Sequence, residues 1–410
     1  MKTINLLLTT VFMLTCSFAS VHRLQAAKTP GVISDMIKQC ADGDTIILSP
    51  GIYKESGIVI DKRITLRGEK GAVVDGCGKG EIIRVVKSSC VIQNLEVRNT
   101  GISHITDIAA IRIEADSCLV SDNVITDGYF GIYLSGTASS TVRGNSITGA
   151  GGRQTNLGNG IHLWKCRSIL VKDNIIKNQR DGIYFEFVED SYISGNKSAE
   201  NLRYGLHFMF SNRCSYVNNT FKRNSAGVAV MYTSYVEMRG NSFLDNTGNA
   251  SYGLLLKDIR NSRISGNTFD GNSVGLYSEG SASILADSNK FMKNGWAVRL
   301  MANSTEVTFA GNSFTGNSFD VSTNSVQNFN YFSGNYWDQY KGYDLDKNGR
   351  GDIPYRPVKL FSVLTESNPA ALLLLRSFFC DILNLAESVM PVLTPETLVD
   401  NSPLMRYKDA

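Results

Sequence analysis

A short glycine-containing unit recurs along the chain and constrains the fold more than any other feature. In each copy a Gly is followed by an apolar residue at the first position and, except in the last copy, at the third, and most copies are 22 or 23 residues apart. The copies begin at Gly131, Gly160, Gly182, Gly205, Gly227, Gly253 and Gly275. Repetition at this spacing is typical of a solenoid, in which each repeat forms one coil that packs only on its neighbours.

A second repeat, of asparagine, runs in step with the first. It comprises Asn94, Asn123, Asn145, Asn174, Asn196, Asn219, Asn241, Asn267, Asn289, Asn312 and Asn335. A step of 22 or 23 residues holds three short strands and three turns, and the period-2 alternation of apolar residues indicates strand rather than helix. Gly and Asn tolerate left-handed backbone at turns, and stacked Asn amides can hydrogen-bond from coil to coil. We therefore predict an all-β fold, a right-handed parallel β-helix of the pectate-lyase-like solenoid type, over residues 28–335.

Length and charge are consistent with one elongated domain. A chain of 410 residues would ordinarily form two or three globular domains, but a solenoid grows along one axis without enlarging a central core. The 41 basic and 38 acidic residues nearly balance, so the composition gives no sign of a nucleic-acid partner.

The first residues have the pattern of a secretory signal peptide. Lys2 precedes an apolar run from Ile4 to Phe18, and small residues follow. We predict a signal peptide over residues 1–19, with cleavage after Ala19 or, alternatively, after Ala27. Cys16 would suit a lipoprotein, but Thr15 is larger than the residue usual before a lipidated Cys.

Seven cysteines remain after removal of such a signal peptide. Because seven is odd, they cannot all be paired in disulfides. We expect most of them to be small buried side chains in the interior of the coils, with a thiol or metal-binding role as the alternative.

The two ends of the repeat region differ from its middle. Residues 31–41 have helical spacing and are expected to cap the open N-terminal end of the solenoid. Residues 336–357 form an Asp- and Gly-rich loop that is expected to close the other end. Alternating oxygen ligands in this loop resemble the start of a calcium loop: Asp344, Asp346, Asn348 and Asp352. The twelfth position is Tyr355 rather than the Glu that binds calcium in such loops. The sequence therefore fits two interpretations, a calcium site and a plain Asx-rich turn.

The last segment, residues 358–410, is predicted to be a helical C-terminal tail. Its apolar run is interrupted by charged residues, so we do not expect it to span a bilayer. The tail either caps the last coils or docks on a membrane partner. The candidate docking residues are Leu372, Leu375, Phe378, Phe379 and Leu383.

Candidate metal ligands lie at outward positions of the Gly units. The second and fourth residues after each Gly point away from the core, and adjacent coils are roughly 4.8 Å apart. His207, Met209 and Met231 could thus converge on one ion, and an imidazole with two thioethers is a soft, uncharged set that favours Cu(I). His162, two coils away, would be a second station or a supporting group. The alternative is a strip that binds protein, as in an adhesin.

Several segments closely resemble the NosD family: Asn159–Trp164, Arg180–Glu186, Arg203–Met209, Ala226–Tyr232, Tyr252–Lys257 and Gly334–Asp338. The resemblance implies a periplasmic maturation factor for nitrous oxide reductase, without catalytic activity of its own. It also implies as partners an ABC transporter, made of an ATPase and a permease, and a copper-chaperone lipoprotein. On this analogy the protein is peripheral to the membrane and docks on the permease through its tail. The family pattern does not fix the copper ligands.

The rival interpretation is a carbohydrate-active enzyme, a lyase or an epimerase. Hydrolysis would need two facing carboxylates, and lyase or epimerase chemistry would need a base beside a cation or Arg. Glu186 has no second acid on a neighbouring coil, and the repeat pattern places no Arg near it on the outward face. We therefore expect a protein that is not an enzyme.

Overall fold

The computed structural model describes residues 19–27, 29–103, 105–151, 157–325, 327–375, 377–389 and 398–407. The predicted signal peptide lies, apart from Ala19, outside these residues.

The chain forms a right-handed parallel β-helix, as predicted, and its strands form three parallel sheets. The strands are numbered β1–β39 in chain order. The first sheet contains β1 (Val21–Leu24), β2 (Thr45–Leu48), β5 (Thr65–Gly68), β8 (Val91–Gln93), β11 (Leu119–Ser121), β14 (Thr141–Arg143), β17 (Leu170–Lys172), β20 (Tyr192–Ser194), β23 (Ser215–Val217), β26 (Glu237–Arg239), β29 (Arg260–Ser265), β32 (Ala282–Asp287), β35 (Thr305–Ala310) and β38 (Phe329–Ser333). The second sheet contains β3 (Gly51–Lys54), β6 (Ala72–Asp75), β9 (Glu96–Arg98), β12 (Val124–Thr126), β15 (Ser146–Thr148), β18 (Ile175–Lys177), β21 (Lys197–Ala199), β24 (Thr220–Lys222), β27 (Ser242–Leu244), β30 (Thr268–Asp270), β33 (Lys290–Met292), β36 (Ser313–Thr315) and β39 (Tyr336–Trp337).

The third sheet holds the Gly units. It contains β4 (Ile58–Ile60), β7 (Ile83–Val85), β10 (Ala109–Ile113), β13 (Phe130–Ser135), β16 (Asn159–Trp164), β19 (Asp181–Glu186), β22 (Tyr204–Met209), β25 (Ala226–Met231), β28 (Tyr252–Lys257), β31 (Val274–Glu279), β34 (Trp296–Leu300) and β37 (Phe319–Ser322). We had expected the repeat glycines to provide left-handed turns. Instead, they are needed because the backbones of adjacent coils approach closely at these positions. A Cβ on Gly182 would lie 2.7 Å from the carbonyl oxygen of Gly205 on the next coil.

The interior of the coils is a continuous apolar core built from aligned side chains. In the second sheet, rings stack from coil to coil with centroid separations of 4.0–5.7 Å. The stacked residues are Phe221, Phe243, Phe269, Phe291, Phe314 and Trp337. Because the register is constant, each ring meets its equivalent, and offset stacking adds to the burial of apolar area.

The predicted asparagine ladder hydrogen-bonds from coil to coil, with one correction. The Asn123 backbone N–H and side-chain amide both donate to Oδ1 of Asn145 at 3.0 Å, and the pattern continues to Asn335. Asn94 is not a member, since Leu95 occupies its register and donates its backbone N–H to Asn123 Oδ1. The left-handed residue at each corner is the one before the ladder position, for example Asp122 at φ 58°.

A second amide ladder, which the sequence analysis missed, runs along another corner. Asn201 donates to Oδ1 of Asn224 at 3.0 and 2.9 Å, and the series continues through Asn246, Asn272 and Asn294 to Asn317. The side-chain amides of this ladder, from Asn201 to Asn294, are thereby hydrogen-bonded.

The N-terminal end is capped by a helix, α1 (Val32–Gln39). Its apolar face buries Ile33 and Ile37, and the Glu55 carboxylate accepts the backbone N–H groups of Ile33 and Ser34 at the first turn. The solenoid begins earlier than the expected residue 28, because β1 already pairs in parallel with β2.

The C-terminal end is closed by residues 336–357 and by residues 398–407. The Asp400 carboxylate accepts from the Asn335 amide at 3.0 Å and from the Trp337 indole N–H at 3.1 Å, so it ends the asparagine ladder. Between these segments lie α2 (Leu360–Ser367), a 3₁₀ helix (Pro369–Leu374) and α3 (Phe378–Val389). Residues 398–407 contain no helix. Among the helices described, none is long and apolar enough to cross a membrane.

All seven cysteines of the described chain are unpaired, and six of them are buried. Cys90, Cys118 and Cys214 lie within the apolar core, as expected for small interior side chains. Cys77 is the exposed one.

Candidate functional site

The predicted metal ligands lie on the outer face of the third sheet. On β22, Leu206 and Phe208 are fully buried in the core, whereas His207 and Met209 alternate with them and point the other way. This confirms the predicted alternation. We call the outward residues His162, Tyr184, Glu186, His207, Met209 and Met231 the outer strip.

The register aligns these residues in two columns. Met209 is paired directly with Met231, and Glu186 with Met209. In the other column, His162 is paired with Tyr184, and Tyr184 with His207. Paired positions on adjacent strands are roughly 4.8 Å apart, so Met209 and Met231 are neighbours on adjacent coils, and His207 lies two residues before Met209 on the same face of β22.

The imidazoles are covered rather than open to solvent, which corrects our expectation. His207 is 6% exposed and His162 is 9% exposed, whereas Met209 and Met231 are half-buried. The Tyr184 ring lies between the two imidazoles, with its centroid 4.8 Å from that of His162 and 5.1 Å from that of His207. Large neighbouring aromatic rings therefore cover the imidazoles on the outward face. Strand alternation assigns a residue to this face but does not show which side chains pack over it.

His162 has its own hydrogen-bond partner. Its Nδ1 lies 3.0 Å from the side-chain amide of Asn159, which can donate to it, and Asn159 Oδ1 accepts from Arg180 at 3.2 Å. Burial, together with Arg180 and Arg112, lowers the pKa of His162 to about 3. The imidazole is therefore neutral at physiological pH and retains a lone pair.

His207 lies beside a buried carboxylate that the sequence analysis missed. Asp181, which is fully buried, has Oδ2 3.9 Å from Nδ1 of His207, too long for a hydrogen bond. Asp181 Oδ2 and both ring nitrogens of His207 are buried without a hydrogen-bond partner. Unsatisfied buried polar atoms cost free energy, so a ligand or a small shift of these side chains that gave them partners would be stabilising.

A sequence signal for Asp181 does exist. The residue before the repeat Gly is Asn159 or Asp181 in two adjacent coils, but Ala226 and Val274 in later ones. At this position of the repeat, a polar residue occurs in only two coils and the others have an apolar or aromatic residue. This departure from the repeat is the sequence signal that marks Asp181 as a candidate functional residue.

An exposed aromatic row borders the outer strip. Phe187, Phe210 and Tyr232 each follow an outer-strip residue directly, and their rings stack with centroids 5.3 and 5.2 Å apart. All three have positive φ, 55°, 49° and 54°. Left-handed backbone costs a residue with a Cβ roughly 1–2 kcal/mol of stability. Three bulky aromatic residues in this conformation therefore do not serve stability, which makes the row a candidate contact surface.

The candidate calcium residues form a turn closed by their own hydrogen bonds. Asp344 accepts backbone N–H groups from Asn348 at 3.1 Å and Gly349 at 2.8 Å, and Asp352 accepts that of Leu345 at 2.7 Å. The Asp346 carboxylate bonds to Asn348, through its backbone N–H at 3.2 Å and its amide at 2.7 Å. These bonds fit the plain Asx-rich turn, and calcium binding stays a prediction.

The candidate docking residues of the tail divide between two faces. Leu372, Leu375 and Leu383 pack on a buried cluster with Phe319 of β37, whereas Phe378 and Phe379 are exposed. The exposed face continues with Leu373, Leu374, Ile382 and Val389. The Glu366 carboxylate anchors the tail by accepting from Arg299 of β34 at 2.7 and 3.0 Å.

Two relatives match nearly the whole chain. The probable ABC transporter binding protein NosD of Pseudomonas aeruginosa is 31% identical over 392 residues, which cover 90% of this chain and 90% of that protein. The protein of the same description from Stutzerimonas stutzeri is 30% identical over 386 residues, covering 89% and 88%. A family model described as periplasmic copper-binding protein (NosD) matches residues 144–342.

Solved structures with the same fold are more distant. The A-module of the mannuronan C-5 epimerase AlgE4 of Azotobacter vinelandii has a TM-score of 0.53 and 15% identity, over 76% of this chain and 91% of that one. The Dettilon tailspike protein has a TM-score of 0.57 and 15% identity, over 76% and 68%. At this identity the likeness shows the fold alone.

Proposed function

Because the chain belongs to the NosD family, a family of periplasmic copper-binding proteins, we propose that it carries Cu(I) on its outer strip during maturation of nitrous oxide reductase. It receives copper from a chaperone lipoprotein and hands it on, in concert with an ABC transporter. It has no catalytic activity of its own. The predicted signal peptide would export it to the periplasm.

The observation that carries the proposal is the pairing of Met209 with Met231 beside His207, whose ring nitrogens have no partner. Two thioethers and one imidazole suit Cu(I), which prefers soft ligands, and do not suit Ca²⁺ or Mg²⁺, which prefer oxygen. Met209 and Met231 are half-buried and His207 is 6% exposed, so the two thioethers are the more accessible of the three proposed ligands.

The proposed partners are supported by two exposed apolar surfaces. The aromatic row adjoins the outer strip, so a copper donor or acceptor seated on it would bring its own ligands within reach of Met209 and Met231. The tail exposes an apolar face that no described part of the chain covers, and the relatives are named for association with an ABC transporter. We assign the aromatic row to copper-transfer partners and the tail to the permease.

Polysaccharide chemistry is the alternative, and the structure corrects one argument used against it. Arg residues do lie near the outward face, since Arg203 Nε is 3.7 Å from Asp181 Oδ1. However, Asp181 is fully buried and His207 almost so, and a sugar polymer cannot reach a base beneath a roof of aromatic rings. We expect no unsaturated or shortened products when the protein is incubated with uronan polymers; their appearance would favour the enzyme.

The proposal is tested by titrating the metal-free mature protein with Cu(I) against a competing chelator. Wild-type protein should bind tightly, and the double variant Met209→Ala, Met231→Ala should lose this binding because the imidazole alone cannot hold the ion. Met292→Ala, a half-buried Met on the second sheet, is the matched control and should bind as wild type. Equal affinity of the double variant and wild type would refute the assignment.

A further inference from the structure

A second cluster of metal-ligating side chains lies at the N-terminal cap, far along the coil axis from the outer strip. The ligand atoms of His22, Cys40 and Asp44 all lie within 4.8 Å of one another. His22 is on β1, Cys40 directly follows α1, and Asp44 immediately precedes β2. The cluster therefore joins the three segments that make up the cap.

We propose that His22, Cys40 and Asp44 bind a Zn²⁺ ion that fastens β1 and α1 to the first coil. Imidazole nitrogen, thiolate sulfur and carboxylate oxygen are the three ligand types that Zn²⁺ takes in proteins. The proposal does not rest on the copper function, because the donor set differs: the outer strip offers thioethers, which suit Cu(I), and the cap offers a carboxylate.

The distances fit a tetrahedral ion. His22 Nε2 is 3.2 Å from Asp44 Oδ2. Two ligands at about 2.0–2.1 Å from a tetrahedral Zn²⁺ are separated by about 3.3–3.4 Å, so a small adjustment admits the ion. The His22 side chain is about one-third exposed, at 32%, which gives solvent a path to the fourth position.

Binding would orphan no hydrogen-bonding group. Asp44 Oδ2 accepts from the Ala41 backbone N–H at 2.8 Å and faces His22 Nε2, while Oδ1 accepts from the Ser20 backbone N–H at 2.7 Å. With Zn²⁺ bound, the His22 proton resides on Nδ1, and Nε2 and Oδ2 each direct one lone pair at the ion. Both backbone N–H groups keep their acceptor.

One cation lies close to the cluster and bears on its affinity. The Lys62 ammonium donates to the backbone carbonyl oxygens of Lys38 and Cys40, both at 2.6 Å. Burial and the Asp44 carboxylate raise the pKa of the Cys40 thiol, and the Lys62 ammonium partly offsets this, so metal binding would be accompanied by loss of the thiol proton. The thiolate and the carboxylate together supply two negative charges against the dication.

The test uses the mature protein after export, freed of metal with a chelator, with its N-terminus established by intact mass. Co²⁺ replaces Zn²⁺ as the spectroscopic probe. One equivalent should give the visible bands of tetrahedral Co²⁺ and a thiolate-to-metal charge-transfer band, and Zn²⁺ should displace it. Absence of these bands in wild-type protein, or a mature chain that begins after His22, would overturn the proposal.

Two variants and a control locate the site. Cys40→Ser should abolish the charge-transfer band, and His22→Ala should weaken Co²⁺ binding at least about tenfold. Cys77→Ser removes the exposed thiol outside the cluster and should change neither. Because His22 is partly exposed and Cys40 is buried, His22→Ala should disturb folding less than Cys40→Ser. If Cys40→Ser fails to fold, His22→Ala therefore tests whether this cluster binds the metal. Wild-type binding by both ligand variants would contradict the assignment.

Discussion

His207 and Asp181 form an incomplete pair at the centre of the outer strip. Their facing atoms are 3.9 Å apart and neither has another partner. Metal-bound imidazoles usually donate their other ring N–H to a carboxylate or carbonyl, which fixes the tautomer and raises ligand basicity. A shift of under about 1 Å would give His207 such a bond from Nδ1 and leave Nε2 for copper.

We therefore predict that Asp181→Asn weakens Cu(I) binding by about 10- to 100-fold, the usual effect of losing a supporting carboxylate. Chelator competition measures the affinity, and thermal melting verifies that the variant is folded. Asp190→Asn is the control, because Asp190 is exposed and pairs with Arg213 at the surface. Wild-type affinity in Asp181→Asn would show that the carboxylate does not position the ligand.

A second buried carboxylate makes stability depend on pH. Asp320 of β37 accepts a hydrogen bond from the Tyr355 hydroxyl at 3.1 Å, and its other oxygen has no partner. Burial raises the pKa of Asp320 to about 7, and nearby Asp338 adds to the shift. Because the folded state holds this proton more tightly than the unfolded state, the contribution to stability is complete below pH 4 and is lost as pH rises through 7.

Asp320→Asn, which resembles the protonated form, should therefore stabilise the protein more at pH 8 than at pH 5, because only part of the contribution is lost by pH 5. The gain at pH 8 should be on the order of a few kcal/mol, as burial of an ionised carboxylate is costly. Urea unfolding of both proteins at the two pH values measures it. An identical difference at pH 5 and pH 8 would contradict the assignment of this titration to Asp320.

At the scale of elements, the turns after β19, β22 and β25 carry the aromatic row. Phe210 lies at its centre, stacked between Phe187 and Tyr232. We predict that Phe210→Ser lowers the affinity for a copper-donating partner, because it removes the middle of the apolar contact surface, while Cu(I) affinity is unchanged. Calorimetry with the chaperone measures the first quantity.

The control for the aromatic row is Tyr235→Ser. Tyr235 is also exposed and left-handed, at φ 57°, but it lies outside the row. If the two variants bound the partner equally well, the row would not be the contact surface.

The tail has one packed face and one exposed face, which correspond to the capping role and the proposed docking role. One face packs on the solenoid through Leu372 and Leu375, and the other exposes Phe378, at 77%, and Leu373, at 89%. The double variant Leu373→Asp, Phe378→Asp should abolish co-purification with the permease and leave the solenoid folded. Phe329→Asp, on the exposed side of β38, should co-purify normally. Retention of the permease by the double variant would end the docking hypothesis.

At the scale of the whole molecule, the sequence predicted the repeated coils but not the side chains that pack over their outward-facing residues. The Gly and Asn spacings specified the coils, and strand alternation correctly separated inward Phe208 from outward His207. Alternation assigns a side to each residue but says nothing of neighbours on the same side. Tyr184 and Tyr204, whose ring centroids lie 5.1 and 4.7 Å from that of His207, and the neighbouring Asp181 come together only when coils pack on one another.

The ends were harder to predict because their contacts are not periodic. β1 pairs before the predicted start of the solenoid, and Asp400 ends a ladder that stops 65 residues earlier along the chain. Neither contact belongs to a repeat, so no regular spacing of residues along the chain predicts it.

The central claim is that the Met209 and Met231 thioethers bind Cu(I) together with a histidine. X-ray absorption at the copper edge on the protein loaded with one equivalent of Cu(I) tests it directly. The account predicts sulfur and imidazole nitrogen neighbours in wild-type protein, and loss of the sulfur neighbours in the Met209→Ala, Met231→Ala variant. A wild-type spectrum with only nitrogen and oxygen neighbours, or sulfur neighbours that persist in the double variant, would contradict it.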